Sequence, residues 1–246
     1  MDQLSIATAG GIALGLAVTP TLAVKFSERV LDEDIADDKL KAVSRPVHLP
    51  AFALLATVGT AFVLTHTAYS SMSLALVAFV LLCVPMVLID LVDFIIPNEI
   101  SYGALGVAVL GLALAPTTHG AGDTFPFLGS VAPQADILNG SLQGMAAMTI
   151  LYAILHLIGS DFGMGDVKLS ASSGLLLGAF GWQYVIAGFF ATFLSAIVLS
   201  LLAKSAAEGK ASADFSIAFG PYILLGTLLA FPFAPVLVDF YNSISV

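Results

Sequence analysis

Long apolar runs, broken by short polar connectors, decide what this chain can become. About 17 to 25 consecutive apolar residues carry a helix across a bilayer. Eight segments meet or approach that length: residues 5–24, 50–69, 72–92, 99–116, 137–159, 167–182, 184–203 and 218–239. No water in the hydrocarbon satisfies free backbone groups, so such spans fold as helices. The sequence predicts an all-α, polytopic membrane protein with about eight transmembrane helices. Composition agrees: 10% of residues are charged, against about 25% in soluble domains. The first run, from Ile6 to Val24, has no basic stretch before it and no clear small-residue cleavage site. It reads as a retained span rather than a signal peptide.

The eight basic residues test this count. They are Lys25, Arg29, Lys39, Lys41, Arg45, Lys168, Lys204 and Lys210. With eight spans and both termini outside, all of them fall on one side, which is then the cytoplasm. The opposite connectors, 66–72, 117–136 and 181–183, hold no Lys or Arg. A division follows: residues 1–49 form an N-terminal span and polar loop, and 50–246 form the main membrane domain. Gly181-Trp182-Gln183 alone separates the sixth and seventh spans, which predicts a tight helical hairpin.

The polar loop, Phe26 to Leu49, carries Asp32, Glu33, Asp34, Asp37 and Asp38 among basic residues. It reads either as a solvated connector or as a docking surface for a positively charged peptide. The net charge of −9 argues against a nucleic-acid partner and suits a basic one. Cys83 is the single cysteine, so no intramolecular disulfide or Cys-x-x-Cys metal site forms. It reads as a small core residue. His48, His66, His119 and His156 share no metal-ligand spacing. No metal or other cofactor is expected.

Two carboxylates at membrane depth stand out, because ionisable groups there are costly and mark function. Asp90 lies near the end of the third span, in Leu88-Ile89-Asp90-Leu91-Val92-Asp93-Phe94-Ile95-Ile96-Pro97-Asn98. Asp93, one helical turn further on, competes with it. Pro97 and Asn98 mark the turn into the next span. Asp166 opens the sixth span, in Gly163-Met164-Gly165-Asp166-Val167-Lys168-Leu169. Two spans separate Asp90 from Asp166, so both reach the same face. Gly120-Ala121-Gly122-Asp123 repeats the Gly-x-Gly-Asp pattern, but one span separates it from Asp90 and it faces the other side. Gly163 and Gly165 are expected to give backbone freedom and close approach for an extended substrate, with Asp166 at a wet cavity. Lys168 reads as a cytoplasmic anchor or as a participant in the chemistry. Two carboxylates brought together share a proton and activate water.

These residues carry a resemblance. The chain resembles the type IV prepilin leader peptidases, a branch of the Gly-x-Gly-Asp intramembrane aspartic proteases. Ile89-Asp90 followed by Ile96-Pro97-Asn98 looks like the family's first aspartate motif. Gly163 to Leu169 looks like the second. Ala218-Phe219-Gly220-Pro221-Tyr222 resembles its Phe-Gly-Pro turn. The three motifs span about residues 80–226 in the family's order. The resemblance implies a catalytic pair, Asp90 and Asp166, with Gly163, Gly165, Lys168, Pro97, Asn98, Phe219, Gly220 and Pro221 as supporting residues. It implies a prepilin or pseudopilin partner, whose short basic leader is cut after a glycine at the cytoplasmic face of the bacterial inner membrane. Many bacterial members also methylate the new N-terminus and carry paired Cys-x-x-Cys motifs that bind zinc. This chain has none of those cysteines, so the resemblance extends to the peptidase and not to the methyltransferase.

Two other classes compete. An ion-coupled transporter also binds cations on membrane aspartates, but it predicts inverted repeats and acids near the bilayer midplane. A non-catalytic assembly protein of a pilus or secretion system would have no need of the pair. Neither the particular prepilin nor the oligomeric state is written in the sequence.

Overall fold

A computed structural model describes residues 49–67, 70–118, 134–159, 162–206 and 218–244. The expected first span, most of the acidic loop and Asp123 lie outside the described residues. Seven helices are described: α1 (Leu49–His66), α2 (Ser71–Asp93), α3 (Asn98–Thr118), α4 (Gln134–Ile158), α5 (Met164–Phe180), α6 (Trp182–Ala206) and α7 (Gly220–Ile244). No strand occurs among the described residues. Five helices, α2, α3, α4, α6 and α7, are long and apolar enough to cross a membrane. Helix α1 offers a shorter apolar stretch, Ala53–His66. Helix α5 has 17 residues, or about 26 Å at 1.5 Å per residue, just short of a hydrocarbon core of about 30 Å.

The chain divides into two compact units, residues 1–134 and 135–246. In the first, α2 packs against both α1 and α3. Its side chains Met72, Leu76, Phe79, Cys83, Val84 and Met86 are wholly buried. Ser70 caps its start, the Ser73 N–H donating to Ser70 Oγ at 3.1 Å. Small residues let its neighbours approach closely. A Cβ on Gly111 of α3 would strike Ala75, and one on Gly59 of α1 would strike Val80. Pro85 lies inside α2 and withholds one backbone donor.

In the second unit α5 is the inner helix, buried from Ser172 to Ala179 as well as at Asp166, Val167, Leu169 and Ser170. Protein surrounds it, which is why it carries serines and glycines where its neighbours carry leucine and phenylalanine. Gly140 and Gly144 of α4 meet Gly178 and Gly174 of α5 in reversed order, so the two helices run antiparallel with backbones touching. A Cβ on any of the four would strike the carbonyl oxygen opposite. Without a hydrophobic drive between helices in lipid, such small-residue seams and interhelical hydrogen bonds hold them together. Ser173 of α5 and Thr227 of α7 supply one such bond at 2.7 Å. Trp182 Nε1 of α6 supplies another, donating to Gln143 Oε1 of α4 at 3.0 Å.

The expected hairpin is tighter than its three-residue connector suggested. Gly181 alone joins α5 to α6, at φ 124° and ψ 166°. This backbone conformation is nearly confined to glycine.

Candidate active site

Helix α2 ends three residues after Asp90. Phe94 takes the left-handed conformation, φ 55° and ψ 34°, and its N–H donates to the Asp90 carbonyl. A bulky residue in that conformation is uncommon. Residues 95–97 run on without helix, with Ile96 and Pro97 buried, and α3 starts at Asn98. The Pro97 carbonyl accepts the Ser101 N–H at 3.1 Å. Pro97 and Asn98 thus stand at the predicted turn, and Asn98 is exposed. The Asp90 side chain is 3% exposed, beside the buried Ile89 and Met86. Nothing is described of the Asp93 side chain.

Asp166 sits in the opposite setting, at the start of its helix. Gly163 is the N-cap of α5 and Asp166 the third residue in. The Gly163 N–H donates to Asp166 Oδ2 at 3.0 Å. The Asp166 N–H returns to the Gly163 carbonyl at 3.1 Å. This reciprocal box satisfies two groups that a helix start leaves open. Negative charge is favoured there by the positive end of the helix dipole. The carboxylate is 6% exposed.

Neither Gly163 nor Gly165 takes a backbone conformation that requires glycine. Gly163 has φ −74° and ψ 152°, open to any residue, and a Cβ there would meet Asp166 Oδ2 at an ordinary 3.5 Å. Gly165 lies inside the first turn of α5. The segment is a helix start, not an irregular loop, because the Asp166 box carries the helix back to Met164. Lys168 is half-buried in the second turn of α5.

Aromatic rings tie this helix start to the third motif. Phe162 stacks obliquely on Phe219, ring centroids 4.5 Å apart, and Phe193 lies 5.6 Å from Phe219. Tyr152 is fully buried and meets Phe162, Phe189 and Phe193 at 6.1 to 6.5 Å. It lies within electrostatic reach of Asp166. The Phe219 carbonyl accepts the first backbone bonds of α7, from Tyr222 and Ile223. Pro221, in the first turn, has no donor to waste there, and Gly220 beside it is buried.

The second unit therefore gathers Gly163, Gly165, Asp166, Phe219, Gly220 and Pro221 at one place. Asp90, Pro97 and Asn98 lie in the first unit, at the end of α2 and the turn into α3. The sequence reading missed Tyr152, Phe162 and His156. His156 lies in the last turn of α4, and its Nδ1 is 2.5 Å from the Phe162 carbonyl oxygen. Phe162 had one signal, its place directly before Gly163. Tyr152 and His156 had none, since only the fold turns them toward the motif.

Compared with known proteins, the chain matches no family model, no curated protein and no solved structure. Among the described residues, fold and site together define a class: all-helical, with five helices fit to cross a membrane and a buried aspartate on the central helix of each unit.

Proposed function

We propose that this chain is an intramembrane aspartic endopeptidase that removes the short basic leader from type IV prepilins or pseudopilins. The observation that carries the reading is Asp166, a buried carboxylate held by the Gly163 N–H at a helix start, next to the Phe162–Phe219 ring pair that joins this start to the third motif. Its counterpart is Asp90, buried just before the Pro97 turn. A chain seldom buries carboxylates of this kind without using them.

Crossing parity supports pairing the two. Helices α3 and α4 are both long enough to span, and two crossings return a chain to the face it left. Helices α1 and α5, with the N-terminal run 5–24, complete the count of about eight. Charge bias supports an active face on the cytoplasmic side with both termini outside, and the family resemblance implies that the membrane is a bacterial inner membrane.

The chemistry is general acid–base hydrolysis. One carboxylate, ionised, takes a proton from water as the oxygen attacks the scissile carbonyl. The other, protonated, donates to the carbonyl oxygen. Collapse of the tetrahedral adduct breaks the C–N bond, and the leaving amine takes up the proton. The acidic face draws in the basic leader. Lys168 and the turns at Pro97-Asn98 and Phe219-Gly220-Pro221 support the pair.

The test is leader removal by the purified full chain in proteoliposomes. A prepilin with a basic leader ending in glycine should be cut once, after that glycine. Cleavage should persist in EDTA and after thiol alkylation, since Cys83 is buried within α2. Mass spectrometry of the product, with S-adenosylmethionine present, should show an unmethylated N-terminus. An uncut prepilin, or a requirement for added zinc, contradicts the reading.

A further inference from the structure

The Phe162–Gly163 peptide is hydrogen-bonded on both sides. Its N–H donates to Asp166 Oδ2 at 3.0 Å. Its carbonyl oxygen lies 2.5 Å from His156 Nδ1. A carbonyl only accepts, so Nδ1 carries the hydrogen and donates. The peptide is planar and stiff, so fixing its oxygen also fixes the direction of its N–H. The two bonds run in series: His156 Nδ1–H to the carbonyl, then the N–H to the carboxylate. Each polarises the next in a low-dielectric setting.

Nothing else described in this segment aims that N–H so directly. The Phe162 ring rests on Phe219, Phe193 and Tyr152 and holds the residue's position. Rings do not set the rotation of the peptide plane; the imidazole does. We infer that His156 is a positioning residue for Asp166, acting through the Phe162–Gly163 peptide to hold the carboxylate in its reactive orientation. This rests on the reading of Asp166 as a catalytic group.

Two variants separate positioning from bulk. His156→Phe keeps a ring and loses the donor. His156→Asn loses the ring and keeps a side-chain N–H at nearly the place of Nδ1. In leader removal by the full chain, His156→Phe should lower kcat by up to about 100-fold, the scale of a 1 Å misplacement, with KM unchanged. His156→Asn should restore most of that loss. A second readout does not depend on activity. Phe-Gly pairs occur only at 162–163, 180–181 and 219–220, so labelling Phe carbonyl carbons and Gly nitrogens isolates three amide signals by NMR. The Gly163 signal, identified by its loss in Gly163→Ala, should shift upfield in His156→Phe and return in His156→Asn. An unmoved Gly163 amide, an unchanged kcat in His156→Phe, or a His156→Asn as slow as His156→Phe overturns the inference. Full activity in Asp166→Asn instead overturns the peptidase reading, while the Gly163 amide still decides whether His156 orients Asp166.

Discussion

Among the described residues the two units each bury one aspartate on their central helix, yet they do so by opposite means. Asp90 lies in the last turn of α2, a long helix of 23 residues rich in leucine and valine. It is carried to its place by hydrophobic length. Asp166 lies in the first turn of α5, a 17-residue helix rich in serine and glycine. Its carboxylate is part of the helix start, bonded to the Gly163 N–H. The contrast shows two ways to hold a costly group at membrane depth: append it to an apolar rod, or make it a structural cap. The second carries an extra constraint, since any change at Asp166 touches fold as well as chemistry.

The largest expected effect treats the two units as equals. Asp90→Asn and Asp166→Asn should each lower the rate of leader removal by more than the roughly 10²–10⁴-fold of one acid–base group, because the pair acts as a unit. Asp93→Asn and Asp123→Asn should remain active in the same assay. A dead Asp123→Asn beside an active Asp166→Asn would reverse the assigned faces.

A seam glycine of the second unit against an open glycine of the first comes next. Gly178→Ala drives a Cβ into the Gly140 carbonyl and should destabilise the protein by about 1–3 kcal/mol, the usual cost of overpacking. Gly106→Ala on α3 meets nothing within 4 Å and should be neutral or gain up to about 1 kcal/mol from helix propensity. Thermal unfolding in detergent checks both. Equal responses would remove the argument that close backbone contact holds α5.

A smaller effect isolates the cap. Asp166→Asn keeps an oxygen acceptor for the Gly163 N–H, whereas Asp166→Ala removes it. Ala should be less stable than Asn by about 1 kcal/mol, the usual worth of a capping bond, although both should be inactive. Smallest is Ser173→Ala, which removes the bond to Thr227 and should cost about 0.6 kcal/mol, the average for such bonds within membranes.

Helices α2, α3, α4, α6 and α7 were legible because each is a long apolar run, with ends near those expected. Helix α5 was harder. Its apolar count starts at Val167, but the helix starts at Met164, since a capping box is a local bond that hydropathy does not register. The hairpin at Gly181 was legible as a turn, but its one-residue length depends on a backbone angle. The aspartates could be picked out from their neighbours in sequence. Their surroundings could not: Tyr152, Phe162, Phe193 and Phe219 converge from four segments, and only packing brings them together. His156 looked like a span residue, because its bond reaches across a helix end to a backbone atom.

The central proposal is that Asp90 and Asp166 act together as one catalytic pair. Its most direct test is a cross-link. In a Cys83→Ala background, Asp90→Cys and Asp166→Cys are combined with a protease site inserted between residues 119 and 133, then treated with a short bifunctional thiol reagent. After cutting, the account predicts one band of full length, and two fragments when either cysteine is omitted. Two separate fragments from the double-cysteine protein, with both thiols shown to have reacted, would contradict it.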